Sequence, residues 1–227
     1  AYKYFGSQDD KRFFTKLMTY SSFFFIWGFV FLSLFSKEII RVFAEKPEYY
    51  GAYVIVPVIL LSYVFSGMRL TASLGMLLTK NTKHIAWITL GAAALNIILN
   101  FIFIPMFGII AAAINTLAAF VIFYLITQIL SDKYYKIPFE NYKLILMIIV
   151  GSILAGVIYF LPAMNTLFEI VIKLLLVVLF PFILFVFRFY EKAELEIILS
   201  PVKILDFIKG TIKGADKTST DSELLIP

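Results

Sequence analysis

Residues 89–120 read TLGAAALNIILNFIFIPMFGIIAAAINTLAAF. The run is apolar enough to sit in lipid, yet it carries Asn96, Asn100 and Asn115 and is broken at Pro105-Met106-Phe107-Gly108. The apolar stretches on either side of the break are each long enough to cross a hydrocarbon core of about 30 Å as a helix. A proline followed by a glycine, with no charge between them, is the turn chemistry of a tight hairpin between two such helices. Asn96 and Asn100 are four apart and share a helix face, and Asn115 stands on the antiparallel partner. Carboxamides so placed either clasp the two helices or line a polar cavity.

The rest of the chain agrees with that reading. Of the 227 residues, 61% are hydrophobic and only 15% charged, against about 25% charged in soluble domains. The 25 Phe, 13 Tyr and 2 Trp suit lipid-facing and headgroup-level positions. There is no cysteine, so disulfides, thiolate metal sites and thiol nucleophiles are excluded. The net charge of +5 is no sign of nucleic-acid binding, because in a membrane protein the placement of the cations matters more than their sum.

Hydropathy predicts an all-α polytopic membrane protein with six spans, at about 17–36, 52–78, 85–104, 108–130, 144–161 and 167–187. The second is interrupted by Pro57, Gly67 and Gly75 and is expected to kink or tilt. All but four of the 20 Lys and Arg residues flank one side of the membrane. Lys37, Arg41, Lys46 and Lys173 lie on the other, which places both ends of the chain in the cytoplasm. Residues 1–190 thus form the transmembrane region. Residues 191–210 carry Leu195, Ile198, Val202, Leu205 and Ile208 at helical spacing and read as an interfacial amphipathic helix. Residues 211–227 are small, polar and charged and read as a disordered cytoplasmic tail. The polar opening AYKYFGSQDDKRF, starting at Ala1, is expected to continue a longer chain.

Nothing in the sequence points to catalysis. His84 is the only histidine and sits beside Lys80 and Lys83 at an inner boundary, and no metal-ligand cluster or phosphate-cradling glycine loop is present. The expectation is a non-enzyme with no catalytic residue, metal or cofactor. Arg69 is the notable charge, well inside the second span, where a guanidinium must face a cavity, snorkel or meet an anion. Glu169 and Lys173, four apart, are expected to form a local ion pair. Glu38, Arg41 and Glu45 read as a solvated face. The small residues Gly91 to Ala94 and Ala111 to Ala113 are expected to let the hairpin helices pack closely.

A basic Lys80-Asn81-Thr82-Lys83 loop, then Leu95-Asn96-Ile97-Ile98-Leu99-Asn100, an Ile104-Pro105 to Gly108-Ile109 hairpin and a small-residue helix through Asn115-Thr116 form a recognisable pattern. Together with Asp9-Asp10-Lys11-Arg12-Phe13 and Ser36-Lys37-Glu38-Ile39-Ile40, it resembles the polysaccharide exporters of the multidrug/oligosaccharidyl-lipid/polysaccharide superfamily, over about residues 1–190. These are flippases for undecaprenyl-diphosphate-linked oligosaccharides. The resemblance implies a MATE-like fold of two facing lobes, of which this chain would be the last six of fourteen spans. It also implies alternating access in a bacterial cytoplasmic membrane. The implied partners are a lipid-linked oligosaccharide, membrane lipids, a missing N-terminal lobe and glycan-assembly enzymes, with no nucleic acid. Arg69 would meet the diphosphate, and Asn96, Asn100 and Asn115 would form polar cavity wall. Two other readings compete: an ion-coupled small-molecule exporter, for which Glu169 is the one carboxylate inside a span, and a membrane-embedded glycan polymerase or ligase, which the short external loops disfavour.

Overall fold

The computed structural model describes residues 10–157, 159–160, 165–187 and 189–191. The amphipathic helix expected at 191–210 and the tail at 211–227 lie, but for residue 191, outside them. Among the described residues there is no strand. The helices are α1 (Asp10–Leu34), α2 (Ser36–Phe43), α3 (Val56–Ala72), α4 (Leu74–Leu78), α5 (Thr82–Phe107), α6 (Ile109–Tyr134), α7 (Asn141–Val157) and α8 (Thr166–Val186). A 3-10 helix, Pro47–Val54, leads from α2 toward α3. Five helices are long and apolar enough to cross a membrane, counting α3 and α4 as one span. Six spans are expected from the sequence; α7, apolar but 17 residues long, is shorter than those five. With apolar helices dominant and no strand among the described residues, the chain is a multi-pass membrane protein, as lipid requires of backbones that must satisfy themselves.

Neighbouring helices form a row, α7–α1–α3–α6–α5, with α3 in the middle. Packing divides at Phe180 and Pro181: the first compact unit holds α1–α7 and most of α8, and the second begins in the last turns of α8. Within the first unit α8 reaches α1, where the Phe23 and Phe180 rings lie 5.6 Å apart. A buried group of Phe14, Leu74, Leu78 and Ile137 knits α1, α4 and the α6–α7 connection. A second, of Met76, Ile88, Ala119 and Phe123, joins α4, α5 and α6.

The second span does not break where its sequence suggests. Pro57 sits in the first turn of α3, where its missing N–H costs nothing. Gly67 is a packing residue, since a Cβ there would lie 2.6 Å from the Phe25 ring. Gly75 is another: a Cβ would lie 2.7 Å from the Tyr135 carbonyl oxygen and 2.9 Å from that of Ser131, backbone atoms that cannot step aside. The interruption falls at Ser73, whose hydroxyl donates to the Leu70 carbonyl at 2.7 Å and competes for the helix's own acceptors.

Proline acts instead in α8. Pro181 lies inside that helix and has no N–H to offer the carbonyl of Val177 four residues earlier. The Trp27 indole of α1 supplies the missing donor, with Nε1 3.0 Å from the Val177 oxygen.

The N-terminal end of α1 is tied to the α6–α7 connection. Tyr135 donates its phenol hydrogen to Asp10, Thr15 donates to the Pro138 carbonyl at 3.1 Å, and Thr19 donates to Glu140 at 3.0 Å. Glu140 also pairs with Lys143 at 2.8 Å.

Candidate functional site

The hairpin of α5 and α6 turns on one residue. Gly108 adopts φ 64° and ψ −146°, a conformation side chains rarely accept, and its N–H donates to the Ile104 carbonyl at 2.8 Å. The sequence placed the break across Pro105 to Gly108, with the first helix ending at 104. In the structure α5 runs through Pro105 to Phe107, because a proline so near the end removes one hydrogen bond of a turn that is finishing anyway.

The three asparagines meet. Asn115 Nδ2 donates to Asn100 Oδ1 at 3.1 Å, and Asn100 Nδ2 donates to Asn96 Oδ1 at 2.9 Å. Asn96 Nδ2 then donates to Thr116 Oγ1 at 3.4 Å, and Thr116 passes its hydrogen to the Ala112 carbonyl at 2.8 Å. The chain crosses between the helices twice, so it has the geometry of a clasp. Thr116, whose hydroxyl completes the circuit, was not singled out in the sequence; its place one residue after Asn115 was the available signal. Asn115 is buried, whereas Asn96 and Asn100 are half-buried. Asn115 also lines a groove of about 370 Å³ with Phe103, Phe107, Ile110, Ala111 and Ile114.

Small residues do not serve both helices alike. Ala111, Ala113 and Ala119 of α6 are buried, but Gly91, Ala93 and Ala94 of α5 are exposed, and no atom comes within 4 Å of a Cβ built on Gly91. α5 is the edge of the row, and among its residues Ile88 is the one that is buried. Of that run Ala92 packs against the Met76, Ile88, Ala119 and Phe123 group as expected, whereas Gly91, Ala93 and Ala94 face away from this bundle.

Arg69 lies in the last turn of α3, half-exposed. Its Nη1 is 3.5 Å from Thr89 Oγ1, and among the described residues it makes no ion pair. Thr89, Asn96 and Asn100 fall on one face of α5, since seven and then four residues return to nearly the same angle. Arg69 thus touches the N-terminal end of the stripe whose C-terminal end carries the asparagines, Asn100 lying about 16 Å away along α5. The structure does not bring Arg69 into contact with them. His84 is placed at the start of α5, with Nε2 2.7 Å from the Tyr134 hydroxyl, a link between the start of α5 and the end of α6.

Among the described residues the most heavily buried charge is Lys173, with 0% of its surface exposed. Nζ lies 2.9 Å from Glu169 and 2.6 Å from Glu38, and 5.8 Å from the centre of the Phe35 ring. The local Glu169–Lys173 pair is as the spacing implied. The reading of Glu38 as part of a solvated face is corrected: its carboxylate turns inward to Lys173, and Oε2 is buried without a hydrogen-bond partner among the described residues. A lysine that cannot reach water needs a counter-charge, and one glutamate on its own helix is joined by a second from α2.

Apolar crossing helices, a glycine-turned hairpin carrying a polar stripe and a half-exposed arginine at the foot of that stripe define a polytopic helical membrane protein. The chain is similar in structure to the lipid II flippase MurJ in an inward closed conformation, with a TM-score of 0.60 and 25% sequence identity, over 78% of this chain and 39% of that one. The resemblance to the flippase superfamily carried by the hairpin sequence therefore holds for the fold. The chain spans well under half the length of the flippase it matches. No family model and no curated protein sequence matches it.

Proposed function

We propose that this chain is the C-terminal part of a flippase that carries an undecaprenyl-diphosphate-linked oligosaccharide across a bacterial cytoplasmic membrane for polysaccharide assembly. The observation that carries the proposal is the structural likeness to a lipid II flippase, joined to the α5–α6 hairpin. The chain covers 39% of that flippase, which fits six spans of a fourteen-span, two-lobe protein. The working mechanism is alternating access. The cavity between lobes opens inward, takes the diphosphate and sugars, leaves the isoprenoid tail in lipid, and reopens outward. No covalent step on the substrate is involved. The positive-inside bias puts both ends of the chain in the cytoplasm.

In this reading Arg69 is the diphosphate contact. Its fork geometry suits phosphate oxygens, and among the described residues it has no carboxylate holding it. The face of α5 that this bundle leaves open is the side on which the other lobe would stand, with Asn96 and Asn100 at its margin and Asn115 behind them. Against the ion-coupled exporter stands the state of Glu169, which is tied to Lys173 and is not free to bind a coupling ion.

The experiment is Arg69→Ala in the full-length protein. Glycan export should fall while the protein still inserts at its normal level. Normal polymer output at a normal protein level would overturn the assignment of Arg69.

A further inference from the structure

We infer that α2 and the 3-10 helix after it form an interfacial platform seated in the headgroup layer of the membrane, with Val42, Phe43 and Tyr49 immersed, and that Lys173 pins this platform to α8. The inference does not depend on what the protein transports.

Topology sets its place. The segment joins α1 to α3, two helices that cross the membrane, so both of its ends emerge at one membrane surface. Its sequence, SKEIIRVF, divides at 100° per residue into an apolar arc of Ile39, Ile40, Val42 and Phe43 and a charged arc of Lys37, Glu38 and Arg41. Ile39 and Ile40 are half-buried, while Val42 is 78% and Phe43 81% exposed. Tyr49 and Tyr50 of the 3-10 helix are exposed beside them. An apolar tip followed by two tyrosines, at the level where a span leaves the bilayer, has the composition of a membrane-interface anchor. The surroundings available to it there are lipid headgroups and the first carbons of their chains.

The clasp gives the platform its orientation. Glu38 is committed to Lys173 at 2.6 Å, which fixes how α2 is rotated about its axis. Phe43 follows Glu38 by five residues, about 140° around the helix, and so points away from α8. A surface helix held by apolar contacts alone could roll; one tethered through a fully buried ammonium cannot do so without uncovering that charge.

The test uses site-directed spin labels on the full-length protein, in which these 227 residues hold no cysteine and any cysteine elsewhere is replaced by serine, in vesicles of phosphatidylethanolamine and phosphatidylglycerol. Labels go on Val42→Cys, Phe43→Cys, Tyr49→Cys and, as a polar control, Glu45→Cys. Accessibility is read to oxygen, which enriches in lipid, and to a nickel chelate, which stays in water. Positions 42, 43 and 49 should favour oxygen, and position 45 should favour nickel. In a Lys173→Met background the contrast between positions 43 and 45 should be lost. Nickel-favoured labels throughout would place the segment in water, and labels shielded from both reagents would place it against protein; either result overturns the inference. If a label at Phe43 prevents insertion, labels at positions 42 and 49 report the same immersion.

Discussion

The indole of Trp27 on α1 donates to the carbonyl of Val177 on α8, 3.0 Å away, at the one carbonyl that Pro181 deprives of its helical partner. Two ordinary residues 150 positions apart thus solve a problem created by a third. In water a bent helix could leave that oxygen to solvent, but in a bilayer no such partner exists.

Replacing Trp27 with Phe should therefore cost about 1–3 kcal/mol, the penalty of an unpaired buried acceptor. Unfolding in detergent, followed by circular dichroism, measures it. In a Pro181→Ala background the helix regains its own N–H, and the cost of Trp27→Phe should shrink. Equal costs in both backgrounds would mean that the hydrogen bond is not what Trp27 contributes.

Lys173 has two carboxylates where one would suffice. Glu38→Gln or Glu169→Gln alone leaves the ammonium paired, so each should be mild, the more so because both glutamates are partly exposed. The double substitution strands a buried cation and should cost about 3–5 kcal/mol. The same unfolding assay checks this, and a double mutant whose loss merely equals the sum of the singles would contradict it.

Asn100 is the middle of the hairpin chain, accepting from Asn115 and donating to Asn96. Asn100→Ala should lower stability by about 0.6–2 kcal/mol for each of two contacts, and Asn115→Ala by one such contact. A clasp shows itself as lost stability in proportion to these contacts. A cavity role shows itself as lost transport at unchanged stability. Thermal unfolding and transport measured on the same variants separate the two.

Glu140, outside the spans, sets a pH dependence. Burial works to raise its carboxyl, but hydrogen bonds from Lys143 and Thr19, with the charges of Lys143 and Lys16, outweigh it and hold the group below the ordinary glutamate value. A depressed folded value means stability that is present above the unfolded value and is lost as pH falls through the folded one. Acid should therefore weaken the tie between α1 and α7, and Glu140→Gln should flatten that acid limb of the stability curve.

The hairpin was legible because its signals are local: a Pro-to-Gly turn, asparagines at helical spacing and long apolar flanks all lie within 32 residues. Glu38 was not legible, because its partner stands 135 positions away and its near neighbours, Lys37 and Arg41, make a plausible solvated face. Trp27 was silent for the same reason. Glycines misled in the second span, where Gly67 and Gly75 mark close approach and Ser73 marks the break. The small residues of α5 misled in another way. Four consecutive small residues cannot share one face: Ala92 packs against the bundle, and against Gly91 nothing stands among the described residues.

A chain that helps to move a lipid-linked diphosphate glycan across a bilayer should do so in purified form. Reconstituting the full-length protein in vesicles that carry a fluorescent undecaprenyl-diphosphate oligosaccharide in the inner leaflet tests it most directly, with a membrane-impermeant quencher added outside. The account predicts protein-dependent exposure of the probe to the quencher, slowed by Arg69→Ala. Exposure no faster than in protein-free vesicles would contradict it.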